Sequence, residues 1–147
     1  MKKPIFNWNP EDKIASCIIT DKEKIFYGTA SCHPEDEDMM SEKTGCEIAF
    51  KRASIKLFRS YRNELKIELK ALEQLYYAMN RSKDFNEKSY EAKMLLRAIR
   101  RTKNDLAEIK SILIDEEQSL KSYIENKDKF YKSIRKNRKI EDKDNSN

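Results

Sequence analysis

The forty residues 95–134, LLRAIRRTKNDLAEIKSILIDEEQSLKSYIENKDKFYKSI, decide the fold. Apolar side chains return in alternating steps of four and three at Leu95, Ile99, Leu106, Ile109, Leu113, Leu120, Tyr123, Phe130 and Ile134, with polar lapses at Thr102, Glu116 and Lys127. That spacing belongs to a helix burying one seam against another helix. With no Pro or Gly between Glu87 and Lys136, it predicts a single helix over 87–136, about 75 Å long at 1.5 Å per residue.

Upstream, Arg81-Ser82-Lys83-Asp84-Phe85-Asn86 is short and polar, and Asp84 or Asn86 can cap the helix that follows. Before it, Phe50, Ala53, Leu57, Tyr61, Leu65, Leu69, Leu72, Tyr76 and Met79 form one stripe, predicting a helix over 45–80 that opens on the capping-box pattern Thr44-Gly45-Cys46-Glu47. The two helices make an antiparallel hairpin. The first is nearer 50 Å long, so the seam beyond Leu120 is expected to meet strands or another chain.

Further upstream, KIASCIIT (13–20) and IFYGTASC (25–32) are β-branched and aromatic, and Asp21-Lys22-Glu23-Lys24 joins them as a four-residue loop. The expected architecture is therefore α+β, mostly α. It has a small N-terminal β-hairpin (12–32), an acidic connector (33–44), the long coiled-coil-like helical hairpin and a structureless polar tail (140–147), all in one oligomeric domain over 1–147.

Composition excludes several function classes. The 147 residues include only 2 Gly, too few for a Gly-rich phosphate loop, a dinucleotide fingerprint or a many-turned β-sandwich. The start, MKKPIFNWNPEDK, lacks the apolar core of a signal peptide, and no run is long and apolar enough to span a bilayer. A cytoplasmic protein without membrane contact is expected, and its 3 cysteines, with no C-x-x-C pair, fit reduced thiols.

Catalytic groups are sparse. The single histidine, His33, adjoins Cys32, and adjacent side chains rarely face each other as a nucleophile and its base. Cys17, Cys32, His33 and Cys46 hold the donors of a zinc site but not its knuckle spacing. The carboxylates of Glu35-Asp36-Glu37-Asp38 and Asp115-Glu116-Glu117 lie in a loop and on a helix surface. No metal, cofactor or enzymatic activity is expected.

Charge is patterned. Residues 81–103 carry a net +5, and Arg97 and Arg101 lie one turn apart on the long helix. The Lys-rich stretch 129–139 could meet phosphates, but the seam residues Phe130 and Ile134 interrupt it, which disfavours nucleic acid. At the hairpin tip, Tyr76, Tyr77 and Phe85 offer flat faces for a base, Asn80 can bond a base edge or a sugar, and Arg81, Arg97 and Arg101 can fork onto phosphates. The same residues also suit a plain hairpin end with solvated arginines. With Asn80 opposite Glu87, Arg97 would lie about 15 Å further along, and both arginines would face away from the intrachain seam. A nucleotide site is therefore expected to form between subunits.

The order of these features, from FYGTASCHPED (26–36) through YYAMNRSKDFNEKSYE (76–91) to LLRAIRR (95–101), resembles the phage-encoded Thoeris anti-defence proteins of the first type. The resemblance covers most of the chain. It implies an α/β homo-oligomer, dimer or hexamer, that binds cyclic ADP-ribose isomers in the cytoplasm of an infected bacterium without degrading them. It also implies a second ligand class, cyclic oligonucleotides, at a separate site. The family's pocket uses an Asn and, further on, two Arg four residues apart, which match Asn80, Arg97 and Arg101. Lys70 stands where spacing would put the family's stacking aromatic, so the resemblance leaves that role to Tyr76, Tyr77 or Phe85. The alternative is a coiled-coil adaptor or inhibitor that binds a host defence protein or nucleic-acid machine through its charged helices.

Overall fold

The computed structural model describes residues 3–31 and 41–146. Cys32, His33 and the run Glu35–Asp38 lie outside the described residues. The chain is α+β: strands β1 (Ile5–Asn9), β2 (Ile14–Asp21) and β3 (Lys24–Ser31) precede helices α1 (Glu42–Asn80) and α2 (Tyr90–Asn145). The strands form an antiparallel sheet in the order β1-β2-β3.

The expected two-stranded hairpin is thus a three-stranded meander. Strand β1 is IFNWN, and the turn after it is built on Asn9-Pro10. Asn9 Oδ1 accepts the backbone N–H groups of Glu11 (3.0 Å) and Asp12 (3.1 Å), while Asn9 Nδ2 donates to Asp12 Oδ2 at 2.9 Å. Such an Asx turn needs no glycine. The β2–β3 loop is shorter than its composition suggests. Asp21 pairs with Lys24, leaving only Lys22 and Glu23, both left-handed at φ 47° and 64°, as a type I′ turn requires.

The chain divides into two compact units. The first comprises residues 1–57 and 115–147, and the second residues 58–114.

In the first unit, Ala15, Cys17 and Ile19 of β2 and Gly28 and Ala30 of β3 are buried on the sheet face that meets α1. The approach is set by small residues on both sides. A Cβ on Gly28 would collide with the Ala49 carbonyl oxygen and lie 2.6 Å from the Ala53 backbone nitrogen. On α1, Gly45, Ala49 and Ala53 recur every four residues, so a single face of the helix is smooth enough to lie on the sheet. The first helix starts earlier than its Thr44 pattern indicates. Ser41 Oγ accepts the N–H of Thr44 (3.1 Å), so Ser41 is the cap and Thr44 is buried within the first turn.

Two contacts set the helix pairing in this unit. Tyr123 donates to Glu47 Oε2 at 2.8 Å, and Lys51 Nζ donates to Ser119 Oγ at 3.2 Å. Four residues forward on α1 match four back on α2, which is antiparallel packing. Past Lys127 the buried positions shift: Tyr131 is 8% exposed, whereas Phe130, expected in the seam, is 56% exposed. A straight helix drifts about 20° per heptad from a 3.5-residue repeat, so a step of four from Lys127 replaces the expected three. The tail expected to lack structure continues α2 as far as Asn145, where Glu141, Asp142 and Lys143 are compatible with helix.

In the second unit the α2 seam is as spaced. Leu95, Ile99, Leu106 and Leu113 are buried, and so is the polar lapse Thr102. The connection runs from Arg81 to Ser89, three residues longer than expected. Ser89 Oγ, not Asp84 or Asn86, caps α2 by accepting the N–H of Ala92 (3.2 Å), while Asn86 Oδ1 accepts the N–H of Lys88 (2.9 Å).

Candidate functional site

Every residue expected at the tip site lies in the second unit, and the structure separates them into three groups. Tyr76 and Phe85 pack against each other edge to face, with ring centroids 6.0 Å apart at 88°. Both are half-buried, so this pair closes the hairpin end. Tyr77 is exposed, and the Arg81 guanidinium lies over its ring at 4.5 Å. Asn80 ends α1 and is exposed.

Arg97 and Arg101 form the third group. Both are exposed on α2, about 200° and 240° round the helix from the buried Leu95, and so face away from the α1 of their own chain. Along the axis they are nearer to Asn80 than the sequence indicates. Lys103 pairs with Glu73 at 3.6 Å, which brings Arg97 level with Met79 to within about one turn. The axial gap therefore closes, while the angular one remains.

Electrostatics single out the arginine face. From Ala92 to Asn104, α2 carries Lys93, Arg97, Arg100, Arg101 and Lys103 and no carboxylate. Lys103 is paired to Glu73, but Arg97, Arg100 and Arg101 have no carboxylate partner among the described residues. At positions three and four away from Arg97 stand Lys93, Met94, Arg100 and Arg101, so its own helix offers no counter-charge. Clustered guanidinium groups without counter-charge attract anions, and their flat forks match phosphate oxygens.

Two residues that sequence reading missed share this face. Tyr90, Met94, Arg97 and Arg101 follow one another in steps of four, three and four, and Arg97 Nη1 meets Met94 Sδ at 4.0 Å. Their spacing was legible, but it is masked by the stronger seam running through Leu95 and Ile99.

Elsewhere, a groove of about 540 Å³ on α2 is lined by Lys132, Arg135, Lys136, Lys139, Ile140 and Lys143. Among the described residues no group of three or more His, Cys, Asp or Glu could hold a metal ion, and no helix is long and apolar enough to cross a membrane. Cys17 and Cys46 are free thiols that burial pushes above their ordinary range. Comparison with family models, with curated proteins and with solved structures finds no match.

Proposed function

We propose that this protein is a phage anti-defence protein that binds and sequesters cyclic ADP-ribose-type signalling nucleotides without degrading them, and so blocks activation of a Thoeris immune effector. The observation that carries this reading is the arginine face of α2, on which Arg97 and Arg101 stand one turn apart with no carboxylate partner among the described residues. A diphosphate offers the bidentate oxygens such a pair takes. The resemblance in layout to the anti-defence family supplies the ligand class and the setting, the cytoplasm of an infected bacterium.

Because the arginines face away from their own α1, the pocket is completed by a second copy whose tip brings Asn80 and its neighbours. The functional unit is then a homo-oligomer with two or more ligand sites, and cyclic oligonucleotides are a second ligand class for the assembly. Sequestration acts by affinity alone. It requires a Kd below about 100 nM, roughly −9.5 kcal/mol, which several charge-assisted bonds in a pocket closed by two chains can provide.

The test is capture. Purified protein is mixed with a panel of cyclic ADP-ribose isomers and cyclic oligonucleotides, filtered and heat-denatured, and the released molecules are identified by mass spectrometry. An intact cyclic nucleotide supports a sponge, whereas a linear product would mean an enzyme. Recovery of nothing favours a second reading, an adaptor that binds a host protein or nucleic-acid machine. The cationic groove along Lys132, Arg135, Lys136, Lys139 and Lys143 favours that reading, and its binding would weaken steeply with salt.

A further inference from the structure

We infer that Tyr90 is the residue on which the nucleotide base stacks, so that Tyr90, Met94, Arg97 and Arg101 form one ligand-holding face of α2. This inference rests on the nucleotide-binding reading above and deepens it.

The other rings at the tip are engaged. Tyr76 and Phe85 face each other edge to face, and the Arg81 guanidinium lies over the Tyr77 ring at 4.5 Å. Tyr90 differs from all three. It is 73% exposed, and among the described residues its ring has no aromatic or cationic partner. Packing does not account for it, because Ala92 is the fully buried residue of that first turn. Helix formation does not account for it either, since an exposed aromatic loses side-chain freedom in a helix and is a weaker former than Ala, Glu or Lys.

Position does account for it. Tyr90 precedes Arg97 by seven residues, two helical turns or about 10.5 Å, on the same side of α2. That separation is comparable to the reach of an adenine nucleotide from its base to its diphosphate. Met94 lies between them, 42% exposed, with its sulfur against Arg97 Nη1. A thioether is a soft apolar surface suited to the sugar, which separates base from phosphates in such a ligand. Arg97 and Arg101, about 6 Å apart along the axis, can then take adjacent phosphates. Stacking on a purine needs an open ring face, and Tyr90 is exposed enough to offer one.

The experiment compares wild type, Tyr90→Ala, Tyr90→Phe and Arg97→Ala in titrations with cyclic ADP-ribose isomers and, separately, with inorganic pyrophosphate. Tyr90→Ala is expected to bind the cyclic nucleotide about ten- to a hundredfold more weakly and pyrophosphate unchanged, with Tyr90→Phe close to wild type. Arg97→Ala should weaken both ligands. In proton NMR, the adenine H2 and H8 resonances should move upfield on wild type and Tyr90→Phe and not on Tyr90→Ala, a signature a purely structural role would not produce. Wild-type nucleotide affinity in Tyr90→Ala would overturn the assignment while leaving the sponge reading intact. Failure of the wild type to bind any cyclic isomer would overturn the sponge reading, and the assignment with it.

Discussion

Gly28 shows how much a single missing side chain can hold. The backbone of α1 lies so close that any Cβ there would meet Ala49 and Ala53 main-chain atoms, which cannot rotate away as a side chain could. Gly28→Ala should therefore destabilise the protein by about 3 kcal/mol or more, read as a lower urea midpoint, because relief requires moving a whole helix. The opposite effect is expected at Glu23. Its left-handed φ of 64° suits glycine better than a residue with a side chain, so Glu23→Gly should raise stability by about 1 kcal/mol and the melting temperature by a few degrees. At the proposed ligand face, Arg97→Ala or Arg101→Ala should cost about 1.5–3 kcal/mol of nucleotide binding by calorimetry and leave circular dichroism unchanged, since both side chains are exposed.

Between elements, the phenol of Tyr123 ties α2 to α1. Its hydroxyl donates to Glu47, which is itself partly buried, so removing the donor leaves a carboxylate less well solvated. Tyr123→Phe should cost about 1–2 kcal/mol in equilibrium unfolding while keeping the helices in register through the Lys51–Ser119 bond and the buried seam. The helices themselves were legible from the steps of four and three, which follow from helical geometry and need no partner to be recognised. Their ends were not. Ser41 displaced Thr44 as one cap and Ser89 displaced Asp84 and Asn86 as the other, because several capping residues lie within a few positions and only the folded path selects one.

For the molecule as a whole, alkaline pH is the informative variable. Burial pushes the Cys17 and Cys46 thiols and the Tyr123 phenol above their ordinary values, with the hydrogen bond to Glu47 raising the phenol further. All three groups lie in the first unit. Their folded state favours the neutral form, so the stability this contributes is fully present below the ordinary values. It is lost as pH rises through the raised ones. Melting temperature should hold from pH 7 to 9 and fall above it. The fall should be shallower in Tyr123→Phe, which has one fewer buried proton to lose. A curve that stayed flat to pH 11 would contradict the burial of these groups.

The α+β class, the two long helices and the pairing of β2 with β3 are legible in the order of residues, because hydrophobic period is a local property carried by each segment alone. The same order marks Arg97 and Arg101 as neighbours on a helix face, since residues four apart are neighbours on any helix. Strand β1 escaped because IFNWN is too short to show a period, although Asn9-Pro10 after it is a turn signal. Packing settles the rest: Gly28 admits α1 to the sheet, Tyr131 and not Phe130 is buried, and Tyr76 and Phe85 satisfy each other while Tyr90 is left open. Such outcomes depend on which surfaces meet across distant parts of the chain, and residue type alone does not say which aromatic ring a neighbour will cover.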